Sequence, residues 1–397
     1  MSSAKNATLV LAAGAIVLAL TLGTRHAFGL FLQPVSDANG WGREVFAFTI
    51  ALQNLMWGVA QPFAGLLADR RGAGPVLIAG SVLYTAGIAG MALAGSATVF
   101  ILVAGVLAGL GLAGVTMPVV FGAISRALPA EKRSMAFGVA MSVGSFGQFL
   151  FLPAALSLID GFGWAATLLI FSALSALIIP LSFALWERPA KPDATAPTAG
   201  AAAQAALRDR GFLLLGLGFF VCGFQVVFIG VHLPAFLLDE GLSIGLGTTV
   251  LALIGLFNIF GSLGAGWLGS RFGKPQLLAG IYLARGVAIA AFVLLPITEA
   301  SAYLFAVLMG FLWLSTVPLT NGAVATMFGT RDMAFLGGIV FLAHQVGSFL
   351  GGWLGGLVYD RAGSYDIAWG IAIALSLMAA LVNWPVRESP VTKEVVA

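Results

Sequence analysis

Apolar runs long enough to cross a bilayer follow one another along nearly the whole chain. They fall at about 7–35, 44–68, 75–97, 99–127, 133–159, 163–186, 211–238, 244–269, 275–296, 300–327, 333–359 and 365–386. A hydrocarbon core of about 30 Å takes about 20 residues of helix. Inside it every backbone N–H and C=O must be satisfied by the protein itself, which for runs of this length means helix. The sequence therefore predicts an all-α membrane protein with twelve transmembrane helices. Composition agrees: of 397 residues, 60% are hydrophobic and 9% charged, and no water-soluble domain carries such a surface. The first run is too long for a signal-peptide core and has no small-residue cleavage site after it, so it counts as a span. The single cysteine, Cys222, lies inside an apolar run, so no disulfide, metal or cofactor site is expected.

The runs divide into two sets of six. A first bundle is expected over 1–186, a cytoplasmic linker over 187–210, and a second bundle over 211–397. The linker reads AKPDATAPTAGAAAQAA between Arg188, Lys191, Arg208 and Arg210, a composition without a core of its own. If both termini are cytoplasmic, that side collects Lys5, Arg70, Arg71, Arg126, Lys132, Arg133, Arg188, Lys191, Arg208, Arg210, Arg271, Lys274, Arg331, Arg387 and Lys393. The opposite side keeps Arg43 and Arg361 alone, a strong positive-inside bias.

The two halves repeat at an offset of about 200 residues. Pro34 answers to Pro234; Pro118, Gly122 and Ala123 to Pro318, Gly322 and Ala323; Gly147 and Asp160 to Gly347 and Asp360. The loop Gly65–Gly72, GLLADRRG, answers to Gly266–Gly273, GWLGSRFG. A parallel repeat of six helices implies a binding site near the midplane between the halves, reached alternately from either side.

The loop after the second run, with Gly65, Asp69, Arg70, Arg71 and Gly72, resembles the signature loop of the major facilitator superfamily, where it acts as a conformational switch. A degenerate copy stands at Gly266, Arg271 and Gly273, with Ser270 in place of the acid. The resemblance covers essentially the whole chain and implies two pseudo-symmetric six-helix bundles. Within the superfamily, three segments are similar to the bacterial monocarboxylate porter and oxalate/formate antiporter branch. They are AFGLFLQPVSDANGWGRE, the GFGW at 161–164, and HQVGSFLGGWLGGLVYDRAGSYDIAW at 344–369. Members of that branch move small organic acids, often with a proton, and the resemblance implies a monomer in a bacterial inner membrane. The branch commonly has an arginine in helix eight; here the eighth run has none.

The polar residues inside the runs set the chemistry. All 16 Asp and Glu fall at run ends, loops or tails. An organic-cation carrier or a carboxylate proton relay needs an acid in the membrane, so both are disfavoured. Arg25 lies about nine residues, roughly 13 Å by helical rise, before Pro34. A cation at that depth costs about 2.5–3.5 kcal/mol on insertion scales and marks a candidate site. Its planar fork suits a carboxylate. The repeat sets Gln225 at the corresponding position of the seventh run. Gln53, Asn54, Asn258, Asn321 and Gln345 lie at similar depth and are candidate substrate ligands. His344 and His26 are candidate proton carriers, since histidine titrates near pH 6.5. Arg285, about ten residues into the ninth run, is expected to be structural. Trp41, Trp164, Trp186, Trp369 and Trp384 stand at run ends, as interfacial anchors do.

These features predict a proton-coupled carrier of a small monocarboxylate, with the bilayer, the anion and the proton as partners and no nucleic acid. Efflux of neutral or hydrophobic compounds is the alternative. No nucleophile–base pair or cofactor motif supports an enzyme.

Overall fold

A computed structural model describes residues 7–41, 43–187 and 198–390, apart from the side chains of Arg43, Glu44, Ile244 and Asp360. Lys5, Arg188, Lys191, Lys393 and the linker over 188–197 lie outside the described residues. The rest of the linker region includes a helix, Ala199–Arg208, whose N-cap Thr198 accepts a hydrogen bond from Ala201 N–H. Its alanine run has the highest helix propensity of any residue type.

Among the described residues, ten helical stretches are long and apolar enough to cross a membrane. The stretch Ala130–Ser182 holds two of the predicted spans, because Gly163 takes φ 81°, ψ 165° and turns the chain at the GFGW sequence. Only glycine adopts such a backbone at little cost. The second span is the helix Arg43–Arg71, 29 residues long, whose hydropathy is lowered by Gln53, Asn54 and Gln61. Each of the twelve predicted spans thus has its helix.

Besides the turn at Leu177 in the sixth span, three of the described spans are broken, each in its own way. The first ends as an α-helix at His26, continues as a 3-10 turn over Ala27–Phe31 and resumes at Leu32–Asn39. The fourth has a π-helical turn over Ile101–Leu107 and then breaks at Thr116, between Ala108–Val115 and Met117–Ala127. The tenth breaks between Glu299–Leu312 and Thr316–Phe328. The last two breaks fall just before Pro118 and Pro318, landmarks that the repeat pairs. Proline has no N–H to donate and clashes with the preceding turn, so a helix restarts at it more easily than it runs through.

The helices group into two compact units. One takes in Met1–Pro129, Val143–Ala196 and Thr330–Gly338; the other takes in Ala130–Ser142, Pro197–Gly329 and Ile339–Ala397. In the first, Gly147 packs on the backbone of Ala19, and Gly23 lies against Phe151. In the second, Gly347 and Gly351 sit on the carbonyls of Phe220 and Phe224, and Gly223 on that of His344. Small residues let helix backbones approach where lipid supplies no hydrophobic drive for association.

Trp369 departs from its expected place at an interface. It is 1% exposed and packs edge-on against Phe228 (4.8 Å) and Phe236 (5.2 Å), beside the stacked pair Phe292 and Phe305 (4.2 Å). Position at a span end specifies depth, and it leaves open whether the ring faces lipid or a neighbouring helix.

Gly347→Ala, which drives a methyl into the Phe220 carbonyl, is expected to lower stability by about 1–3 kcal/mol, the usual cost of overpacking. Gly280→Ala, with nothing within 4 Å of the added methyl, is expected to leave it unchanged. Melting temperature in detergent distinguishes the two.

Candidate functional site

In the first unit, Arg25 stands in the last turn of Ala7–His26, where a cation complements the helix dipole. Its Nη2 donates to Asn54 Oδ1, and its guanidinium lies 5.9 Å from the Trp57 ring. Nε is buried without a hydrogen-bond partner, as are the hydroxyls of Thr24 and Tyr84. Tyr84 lies within electrostatic range of Arg25. Among the described residues no acid pairs with this arginine. The break after His26 puts a half-buried cation, an amide and an indole face together.

Gln53, beside Asn54 in sequence, points elsewhere. Its Nε2 donates to Ala104 O at 2.7 Å, a carbonyl inside the π-helical turn, while its Oε1 is buried without a partner. Neighbours in a helix diverge by about 100°, so Asn54 reaches span one while Gln53 braces span four. Gln61 was not among the sequence candidates and performs a related task. Its Nε2 donates to Ala113 O at 2.9 Å, and its Oε1 accepts from Trp57 Nε1 (2.9 Å) and Thr116 Oγ1 (3.0 Å). The spacing Gln53, Trp57, Gln61 marks one helix face, a signal present in the sequence.

In the second unit most of the candidate amides are engaged within the protein. Gln225 Nε2 donates to Ser376 Oγ and to Ala372 O (3.2 Å), and its Oε1 accepts from Arg285 Nη1 at 3.2 Å. Asn258 Oδ1 accepts from Leu314 N–H (2.9 Å) and Ser262 Oγ (3.3 Å). Asn321 Nδ2 donates to Val317 O, one turn back, at 3.0 Å. Gln345 Oε1 accepts from Nδ1 of His344 at 3.2 Å, with Ser348 Oγ also within reach of both. The His344 ring packs between Phe341 (5.4 Å, stacked) and Phe219 (4.7 Å). His26 is exposed, on a different azimuth from Arg25.

The loop after span two forms a lock inside the first unit. Asp69 has no exposed side-chain surface. Its Oδ1 accepts from Arg126 Nη1 at 2.7 Å and from Ala334 N–H at 3.3 Å, and its Oδ2 accepts from Phe335 N–H at 2.8 Å. Those amides belong to the first turn of Met333–Ala362, a helix N-terminus, where a carboxylate is favoured. Arg126 also pairs with Glu187 (Nε to Oε2, 2.6 Å), and Arg70 pairs with Asp332 at 2.9 Å. Gly65 packs directly on the Ala334 carbonyl, leaving no room for a side chain. Gly72 turns the chain with φ 89°, and Arg71 is exposed. The second copy lacks this arrangement: Ser270 Oγ donates to Trp267 O in its own helix, and Arg271 stacks on the Trp267 ring at 4.2 Å.

A helical membrane protein with a repeated six-helix plan, breaks before paired prolines and a charged lock after span two is, by class, a carrier. The Major Facilitator Superfamily family model matches residues 11–352, and the chain belongs to that family. It is 26% identical over 378 residues to the uncharacterized MFS-type transporter YcxA of Bacillus subtilis, covering 90% of each chain. It is 27% identical over 390 residues to monocarboxylate transporter 11 of Mus musculus, covering 94% of this chain and 86% of that one. Among solved structures, the E. coli fucose:proton symporter FucP overlays with a TM-score of 0.72 at 16% identity, covering 94% of this chain and 97% of that one. The proton:xylose symporter XylE overlays at 0.73 and 14% identity, covering 95% of both. The fold is that of the superfamily, and the protein is a transporter, not an enzyme.

Asp69→Ala leaves two backbone amides and the guanidinium of Arg126 short of an acceptor. It is expected to cost about 3–5 kcal/mol, as breaking a buried ion pair does. Asp69→Asn, which keeps an acceptor for one of the amides, should cost less. Thermal melting of the purified protein ranks the three.

Proposed function

We propose that the protein is a secondary transporter of a small organic anion, most simply a monocarboxylate, coupled to protons and working by alternating access. The observation that carries this reading is Arg25. Its half-buried guanidinium has one amide partner and, among the described residues, no acid, with an indole face nearby and a buried Nε without an acceptor. A substrate carboxylate supplies the missing acceptor and neutralises the charge, both strongly favoured in a low-dielectric interior. Asn54 orients the guanidinium, and the Trp57 ring beside it offers an apolar face to a short hydrocarbon chain. The likeness to monocarboxylate transporter 11 over most of the chain supports the same substrate class.

His344 is the proton carrier in this reading. It is 8% exposed, bonded through Nδ1 to Gln345 and stacked on Phe341. Among the described residues no Asp or Glu lies in the middle of a span to compete for that role. Gln225 and Asn258, engaged within the second unit, serve the scaffold in this reading and do not act as ligands.

Uptake of labelled pyruvate, lactate and acetate into proteoliposomes tests the proposal. An inward proton gradient is expected to stimulate uptake, and a protonophore to abolish the stimulation. Arg25→Gln should lower uptake efficiency roughly 10–100-fold, the scale of a lost charge-assisted hydrogen bond. His344→Gln should leave anion exchange while removing the response to the gradient. Wild-type anion uptake in Arg25→Gln, or transport of uncharged lipophilic compounds in place of anions, would overturn the reading in favour of neutral-compound efflux.

A further inference from the structure

Arg285 is a cation with no exposed surface in the ninth span. Every guanidinium nitrogen is engaged. Nε and Nη2 donate to Leu312 O at 3.1 and 2.6 Å, Nη2 also donates to Trp313 O, and Nη1 donates to Gln225 Oε1 at 3.2 Å. The Tyr282 ring lies 5.6 Å away. Four of the five N–H groups of this fork are taken up within the protein.

The two carbonyls stand at the break in the tenth span. Val317 N–H donates to Leu314 O at 3.0 Å, so Trp313 O loses its regular helical donor. The other side of the break is closed from span eight, where Asn258 Oδ1 takes the N–H of Leu314 at 2.9 Å. The matching break in the fourth span is closed by neutral groups, with Gln61 Nε2 on Ala113 O at 2.9 Å. An amide therefore suffices to satisfy a freed carbonyl. A guanidinium does more, because its planar fork grips two carbonyls and a third group at fixed angles. Through Gln225 and its bond to Ser376, the same group ties spans seven, nine, ten and twelve together.

We infer that Arg285 is a positioning residue for transport, fixing the break of the tenth span without touching the substrate. The inference rests on the transport reading above for its rate measurement, and on the structure alone for its second measurement. Cys222, the protein's single cysteine, lies one turn before Gln225, and its Sγ sits 3.1 Å from Oγ1 of Thr316, the first residue after the break. The thiol is fully buried, so its alkylation reports on whether the break holds.

Arg285→Lys keeps the charge and gives up the fork. In proteoliposomes and in purified protein, the expected result is anion affinity within about twofold of wild type and a maximal rate lower by about tenfold or more, the signature of lost positioning rather than lost binding. Cys222 labelling by N-ethylmaleimide, protected in wild type, should accelerate by a similar factor. Lost affinity with Cys222 still protected would make Arg285 a ligand and overturn the inference, as would wild-type values throughout. Should Arg285→Lys fail to insert, Asn258→Ala releases the N–H side of the same break; Cys222 is expected to become reactive there, and wild-type protection overturns the inference. If no anion is transported at all, the labelling still decides, which separates failure of this inference from failure of the transport reading.

Discussion

Inside a bilayer a helix cannot be interrupted without leaving backbone groups that only the protein can satisfy, each unmet group costing several kcal/mol. Much of the polar chemistry of this chain answers to that constraint. Gln53 serves the π-helical turn of the fourth span, Gln61 and Thr116 serve its break, and Asn258 and Arg285 serve the break of the tenth. The polar residues of an apolar protein are largely spent on the irregular backbone that a moving carrier needs. Arg25 stands out because it sits at a break and still has a donor atom to spare.

The two halves solve the same backbone problem with different chemistry. Paired prolines put a break in the fourth and tenth spans, one closed by neutral amide and hydroxyl groups and the other by a guanidinium. The charged lock is likewise one-sided, with Asp69 in the first copy and Ser270 in the second. A repeat conserves backbone geometry more readily than it conserves the side chains that stabilise it, since several donor sets can satisfy one carbonyl.

What could be read from the sequence was what depends on length and spacing. Spans, the repeat, the paired prolines and the charged loop follow from counts along the chain, and each has its place in the structure. What could not be read was azimuth. Gln53 and Asn54 are adjacent and equally deep, yet one braces a neighbouring helix and the other meets Arg25. Gln225, equivalent by repeat to Arg25, is taken by Arg285, a contact between spans seven and nine that no local pattern encodes. Trp369 sits at a span end and yet faces inward. Depth estimates also assume an unbroken helix, and the first span stops being one at His26, directly after Arg25.

The Asp69 lock has a consequence for how the chain is made. Its amide partners lie 265 residues further along, and at typical synthesis rates of about 5–20 residues per second they emerge roughly 13–53 s after the carboxylate. Arg126 follows Asp69 by 57 residues, so for most of that interval the two can meet at the membrane surface while their group is unfinished. The first unit therefore reaches its final form only after the ribosome has completed ten spans and entered the eleventh, so the newborn protein passes through a long stage in which its earliest helices are inserted but not yet secured.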